Sequence, residues 1–255
     1  MAIKLVISGC CGRMGQAIAR CTLADERFTL SAVFERRDHP AVGRDYREGL
    51  GELAAAGLKV LGDAQEAMSL ADVVIEFTSP EATVEHVRIA SHVGKPIAVG
   101  TTGLSEEQMA VLKVTAKTIP VLYSPNMSLG VNVLYELAQL AAERLGGAFY
   151  DVEIIESHHR EKKDAPSGTA KRLRERLVAV QTTRRPEIPI HSVRAGDIVG
   201  DHTVILAGPS ERLELTHRAH GREVFARGAL AAARFLVKQP PGLYDMSHVL
   251  RSVGG

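Results

Sequence analysis

The 255-residue chain predicts an α/β fold: a doubly wound parallel sheet followed by a second, mixed α+β domain. Three observations lead there. Through the first half, short β-branched runs alternate with helical patterns, the signature of βαβ units and a parallel sheet. A glycine-rich turn joins the first of those runs to the first helix. The second half changes grammar, with long helices and a hairpin pattern around Gly208-Pro209-Ser210. At about 150 residues per domain, the length also favours two domains, and the change of grammar puts the boundary near Asn126.

Taken in order, residues 3–7 read as a buried strand and 14–23 as a helix, with a second strand at 28–34. The charged, Gly-containing stretch 36–62 reads mostly as loop. Strands follow at 72–77, 97–99 and 119–123, separated by helices at 80–93 and 104–117. Pro80 suits a first helical turn, and Ser105-Glu106-Glu107 supplies an acidic one. In the second half, 129–145 is a helix with Leu129, Val133, Leu137 and Leu140 on one face. A strand at 152–157 and a helix at 169–180 come next. Strands at 202–207 and 212–217 form the hairpin, and Arg212, Glu214 and Thr216 give the latter a wet face. A last long helix at 223–237 stops at Pro240-Pro241-Gly242.

Composition narrows the function. The net charge of +1 argues against a general nucleic-acid partner, so any anion must be met by a local patch. Cys10, Cys11 and Cys21 are odd in number and match neither a disulfide framework nor a zinc pattern, which suits a reducing compartment. No apolar stretch reaches the length of a membrane span, and the N-terminal apolar run is too short for a signal peptide, so a cytoplasmic protein is expected.

Gly9, Cys10, Cys11, Gly12, Arg13 and Met14, with Gly15, lie between the first strand and the first helix. A dinucleotide turn needs glycine where the chain bends and where the backbone nears a pyrophosphate; the helix start then offers free N–H groups and a positive dipole end. The spacing is G-x-x-G-x-x-G rather than the usual G-x-G-x-x-G. Alone it also fits any tight strand–helix turn, but the strand–turn–helix setting favours a nucleotide. Glu35 ends the second strand about 20 residues on, where a carboxylate holds ribose hydroxyls. Arg36 beside it can accommodate a 2′-phosphate, so both NADH and NADPH are expected as cofactors. Gly100, Thr101 and Thr102 end one later strand, and Ser124, Pro125, Asn126 and Met127 end the next; both ends should share the crevice of the glycine turn.

Residues 156–170 concentrate the chemistry. His158, His159, Arg160, Lys162 and Lys163 are followed by Ser167, Gly168 and Thr169 at a helix start. Hydroxyls and open N–H groups there make an anion cradle, and a titratable His beside a Lys can move a proton. The same pattern also fits a solvated loop before a capped helix, and physics alone leaves the two readings level.

These motifs carry a resemblance. Gly-x-x-Gly-Arg-Met-Gly, Gly-Thr-Thr-Gly, the long stretch 153–170, residues 193–203 and the ending Gly242-Leu243-Tyr244-Asp245-Met246 resemble the dihydrodipicolinate reductase family over essentially the whole chain. The resemblance implies a Rossmann-like dinucleotide-binding domain at 1–126 plus 239–255, and a substrate-binding and oligomerisation domain at 127–238. It implies reduction of 4-hydroxy-tetrahydrodipicolinate in lysine biosynthesis, with hydride from the nicotinamide. His158 and Lys162 would handle the proton, and His159, Ser167, Gly168 and Thr169 the substrate. Gly9 to Met14 would take the pyrophosphate, Glu35 and Arg36 the adenosine ribose, and the ends at 100–102 and 124–127 the nicotinamide side. It further implies a homotetramer, with no metal, membrane or nucleic-acid partner. Cys10-Cys11 departs from the small residues often seen in the family's turn and is expected to be tolerated there; the segment 184–190 is short for the family. Two other readings compete: a different Rossmann-type reductase, which gives no reason for the basic loop, and a non-enzymatic NAD(H)-binding redox sensor, which needs the nucleotide half alone.

Overall fold

The computed structural model describes residues 1–52, 55, 57–145, 150–180 and 187–253. The chain forms two compact units, one of Met1–Ser128 with Phe225–Gly255, the other of Leu129–Val224.

The first unit is built on a seven-stranded sheet. Its strands are β1 (Ile3–Ser8), β2 (Phe28–Phe34), β3 (Val60–Leu61), β4 (Val73–Glu76), β5 (Ile97–Val99), β6 (Pro120–Tyr123) and β11 (Gly242–Tyr244). The order β11-β6-β5-β4-β1-β2-β3 is parallel throughout. Sequence order therefore runs outward in both directions from the β1/β4 pair, the switch point at which open α/β sheets bind ligands. Helices α1 (Arg13–Leu23), α2 (Tyr46–Leu50), α3 (Ala64–Ser69), α4 (Pro80–His92) and α5 (Glu106–Thr115) connect the strands. Strand β4 is buried along its length, because a parallel strand covered on both faces must be apolar on both. Val6, Phe34, Val74, Val99, Leu112 and Val121 join in one core. Helix starts are capped as their residues direct: Asp63 accepts two N–H groups of α3, Ser79 caps α4, and Ser105 with Gln108 closes a capping box on α5.

Two differences from the sequence reading fall here. The stretch expected to be mostly loop carries α2 and β3; its Tyr46 and Leu50 are buried, and Asp45 caps the short helix. The last long helix, α8 (Glu223–Leu236), runs into the first unit from Phe225 onward rather than ending the second. A Cβ on its Gly228 would fall 1.7 Å from the Met127 carbonyl oxygen, and its Phe235 ring meets the Tyr244 ring edge-on at 5.4 Å. The helix α9 (Met246–Val253) closes the unit.

The second unit carries α6 (Leu129–Leu145) and α7 (Gly168–Val180) with the strands β7 (Asp151–His158), β8 (Ile190–Arg194), β9 (Gly200–Ala207) and β10 (Arg212–Ala219). The sheet order is β10-β9-β7-β8; the first two pairs are antiparallel and β7/β8 is parallel, so the sheet is mixed. Alternation places Val152, Ile154, Val204 and Leu206 in a core with Leu134, Tyr135 and Leu173. The apolar face expected on α6 is corrected by the structure: Val133, Leu137 and Leu140 are exposed, while Val131, Leu134, Tyr135, Ala138 and Ala142 are the buried side. Both stripes have helical spacing, and the one that meets the sheet is buried. The short segment noted at 184–190 falls partly outside the described residues. No helix among the described residues is long and apolar enough to cross a membrane.

Candidate active site

In a parallel sheet all strand C-termini share one edge, so the first unit gathers there the segments singled out in the sequence. Gly9 turns the chain after β1 with φ +60, a conformation that favours glycine, and a Cβ on it would meet the Thr78 side chain at 2.9 Å. Gly12 is the N-cap of α1 and brings no side-chain cap, which leaves first-turn N–H groups open to an anion. Gly15 lets α1 press onto the turn: a Cβ there would lie 2.2 Å from the Gly9 carbonyl oxygen. Arg13 is exposed and Met14 half-buried on that first turn. Glu35 accepts the Cys11 N–H at 2.9 Å, tying the end of β2 to the turn, and Tyr46 donates to the Cys10 carbonyl. Arg36 is exposed, with Asp38 3.4 Å away. A cleft of about 560 Å³ runs past Gly9, Glu35, Arg36, Thr78 and His86. A glycine turn, open helix N–H groups and a strand-end carboxylate beside such a cleft fit a dinucleotide.

The remaining cofactor-side residues divide into exposed and structural ones. Gly100 packs against the Phe77 ring. Thr101 is buried, receiving the Thr78 N–H and the Thr83 hydroxyl, whereas Thr102 is exposed. Ser124 is buried and donates to the Asn126 carbonyl; Pro125 is exposed, and Met127 lies in the core. Cys10 and Cys11 bring their sulfurs within 3.9 Å of each other. With Glu35 they form the one metal-capable donor group found among the described residues. Burial pushes both thiols up, aided by the neighbouring Glu35 charge, so a cation there would have to displace protons.

Sequence reasoning missed a polar cluster at the switch point. Glu76 ends β4 fully buried and accepts from Ser8, Thr78, Thr83 and His86. Burial opposes charge on both members, yet the His86–Glu76 hydrogen bond and attraction prevail, lowering the carboxyl and raising the imidazole. The signal was an acidic residue in an otherwise apolar strand.

In the second unit, β7 delivers Glu156 and His158 to the same face, two residues apart. Glu156 is wholly buried and pairs with His158 Nδ1. Arg194, from the end of β8, grips the same carboxylate with both terminal nitrogens at 2.8 and 3.0 Å. It also donates to the Asp164 carbonyl at 2.6 Å. Burial would raise the Glu156 carboxyl, but Arg194, Ser192 and His158 hold it at about 2. Burial pushes His158 down, with Lys162 and Arg194 acting the same way against the opposing Glu156. Lys162 pairs with Asp164 at 2.7 Å and is about one-fifth exposed; His159 is half-buried. Ser167 starts α7 buried, its N–H directed to Glu156 and its hydroxyl capping the Ala170 N–H. His202 Nε2 meets that hydroxyl at 3.1 Å, and burial holds this ring down at about 3. Gly168 is exposed, and Thr169 bonds the Tyr135 hydroxyl. The structure thus gathers His158, Lys162 and the α7 start and adds Glu156, Arg194 and His202, which the sequence reading left unassigned.

Two family models together span the chain: "Dihydrodipicolinate reductase, N-terminus" matches residues 3–127 and "Dihydrodipicolinate reductase, C-terminus" residues 130–250. The chain belongs to the dihydrodipicolinate reductase family. Curated members similar to it include the 4-hydroxy-tetrahydrodipicolinate reductase of Syntrophus aciditrophicus, 43% identical over 97% of this chain and 98% of that protein. The enzyme of the same name from Anaeromyxobacter dehalogenans is 44% identical over 99% of both. Among solved structures, the dipicolinate-bound dihydrodipicolinate reductase from Paenisporosarcina sp. TG-14 superposes with a TM-score of 0.80 at 26% identity, covering 96% of this chain and 98% of that one. The Rossmann-like sheet of the first unit is accordingly the nucleotide-binding half of a reductase family.

Proposed function

We infer that this protein is an NAD(P)H-dependent oxidoreductase that reduces 4-hydroxy-tetrahydrodipicolinate in lysine and diaminopimelate biosynthesis. The observation that carries the reading is the folded 156–169 stretch, in which a buried His158 pair, Lys162 and a helix start stand together in a chain matching both halves of the family. A relative with bound dipicolinate supports a small cyclic dicarboxylate as ligand.

In this reading the residues from Gly9 to Met14 receive the pyrophosphate, Glu35 and Arg36 the adenosine ribose, and Gly100, Thr101, Thr102, Ser124, Pro125, Asn126 and Met127 the nicotinamide side. When bound, the reduced cofactor supplies the hydride; the protein supplies geometry and charge. Loss of water and gain of hydride leave carbanion-like charge on the ring, which a proton must quench. His158 and Lys162 are the groups placed to do this. His159 and the α7 start meet the carboxylates. Because Ser167 spends its N–H on Glu156 and its hydroxyl on capping, the first-turn N–H groups of Gly168 and Thr169 are the better donors. A homotetramer in the cytoplasm is the accompanying expectation.

The test follows NADH and NADPH oxidation optically, with substrate generated in situ from pyruvate and aspartate semialdehyde by the preceding synthase. Turnover should fall by about 10²–10⁴-fold in His158→Gln and Lys162→Ala while cofactor binding persists. Wild-type protein without turnover on either cofactor would overturn the reading.

A further inference from the structure

The Glu156 carboxylate gathers partners from three places, His158 on its own strand, Arg194 at the end of β8 and Ser167 at the start of α7. Oε2 takes the His158 Nδ1 contact and one Arg194 nitrogen; Oε1 takes the other Arg194 nitrogen and the Ser167 N–H. A fully buried carboxylate needs such partners, and a bidentate guanidinium is the geometry that satisfies it. We propose that Glu156, clamped by Arg194, is the positioning residue of this site, holding the His158 ring with its Nδ1–H on the carboxylate so that Nε2 is the nitrogen that exchanges a proton with substrate. The proposal rests on the reductase reading for its substrate, but its geometry stands in the free protein.

The tautomer follows from elementary chemistry. An ionised carboxylate accepts hydrogen bonds and donates none, so the proton between Glu156 and His158 belongs to Nδ1. In the neutral ring Nε2 then carries the lone pair; in the charged ring it carries the second proton. Either way Nε2 is the working atom. It lies over Gly200, where any Cβ would come within 3.1 Å of it. The groups facing the ring are Glu156 on β7, Lys162 on the loop, Arg194 on β8 and His202 on β9, whose ring stands edge-on at 5.2 Å. Of these, Glu156 alone favours protonation of His158. The same carboxylate reaches the α7 start through Ser167 and, by way of Arg194, the Asp164 carbonyl beside Lys162. One buried charge thereby sets the orientation of the proton donor and of the loop that carries its neighbour.

The experiment compares full-length wild type with Glu156→Gln and Glu156→Asp. In Glu156→Gln, kcat/KM should fall on the order of 10²-fold, and the limb of its pH profile that reports His158 should move to lower pH. NADH affinity should stay unchanged. Glu156→Asp, which keeps the charge, should restore the limb to its wild-type position. A folded Glu156→Gln protein whose limb does not move would overturn the proposal. Should that variant fail to fold, ¹⁵N-histidine spectra of the wild type decide: an Nδ1–H tautomer for the resonance lost in His158→Gln supports the proposal, and an Nε2–H tautomer overturns it. Those spectra need no substrate, so a wrong reaction and a wrong positioning role give different results.

Discussion

Gly15 is the position at which a single methyl group should damage both stability and cofactor binding. An alanine Cβ there would fall 2.2 Å from the Gly9 carbonyl oxygen and 2.7 Å from the Cys10 Cα, both backbone atoms. Carbon atoms rest at about 3.5–4.0 Å, so α1 and the turn must part by roughly 1 Å. Backbone cannot rotate aside as a flexible side chain can, which puts the overpacking cost near the upper end, about 3 kcal/mol. Alanine's better helix propensity offsets at most about 1 kcal/mol of that. A net loss of about 2 kcal/mol lowers Tm by about 4–8 °C in a protein of this size. The same displacement draws first-turn N–H groups away from a bound pyrophosphate. Losing one hydrogen bond to a charged group, about 1.5–3 kcal/mol, weakens NADH binding about 10- to 150-fold. Gly49 is the internal control. It lies in α2 with open space around its would-be Cβ, so Gly49→Ala should be neutral or stabilising by up to about 1 kcal/mol. Differential scanning fluorimetry and NADH fluorescence titration read both quantities. Wild-type Tm and NADH affinity in Gly15→Ala would refute the close-approach argument.

Two further outcomes are expected. Arg36→Ala should raise the KM for NADPH about tenfold or more and affect NADH much less, since in the proposed reading its exposed guanidinium meets the 2′-phosphate at the adenosine ribose; equal effects on both cofactors in steady-state assays would remove that role. His86 is raised by Glu76, so the pair stabilises fully below the ordinary imidazole value of 6.5 and fades as pH climbs through the raised one. Urea unfolding of His86→Gln against wild type should show a deficit of about 3 kcal/mol near pH 6 that shrinks toward pH 9; a deficit that grows with pH would refute the assignment.

Much of the fold was legible because one-dimensional signals report it directly. Residues 28–34, 97–99 and 129–145 carry clear strand or helix patterns and form β2, β5 and α6 with those limits. The elements that escaped were short or lacked a period. β3 has two residues and is held by pairing with β2, while β8 is an edge strand whose residues are mostly exposed. The destination of the α6 stripes was also hidden, because spacing shows that residues share a face and not which face meets a sheet. Within the site, the motif residues could be read in sequence, yet Ser167, Thr101 and Met127 proved to be largely occupied by structural duties.

The amino-acid order by itself determined that a glycine turn would join the first strand to the first helix and that His158, Lys162 and a capped helix start would stand close together, since each of these is a matter of neighbours along the chain. Tertiary structure decided what sets their chemistry. Arg194 reaches Glu156 across 38 residues because β8 lies parallel to β7, and Glu76 finds Ser8 because β4 lies beside β1. The protonation of a buried carboxylate depends on which partners fold against it, and strand pairing is what brings those partners in.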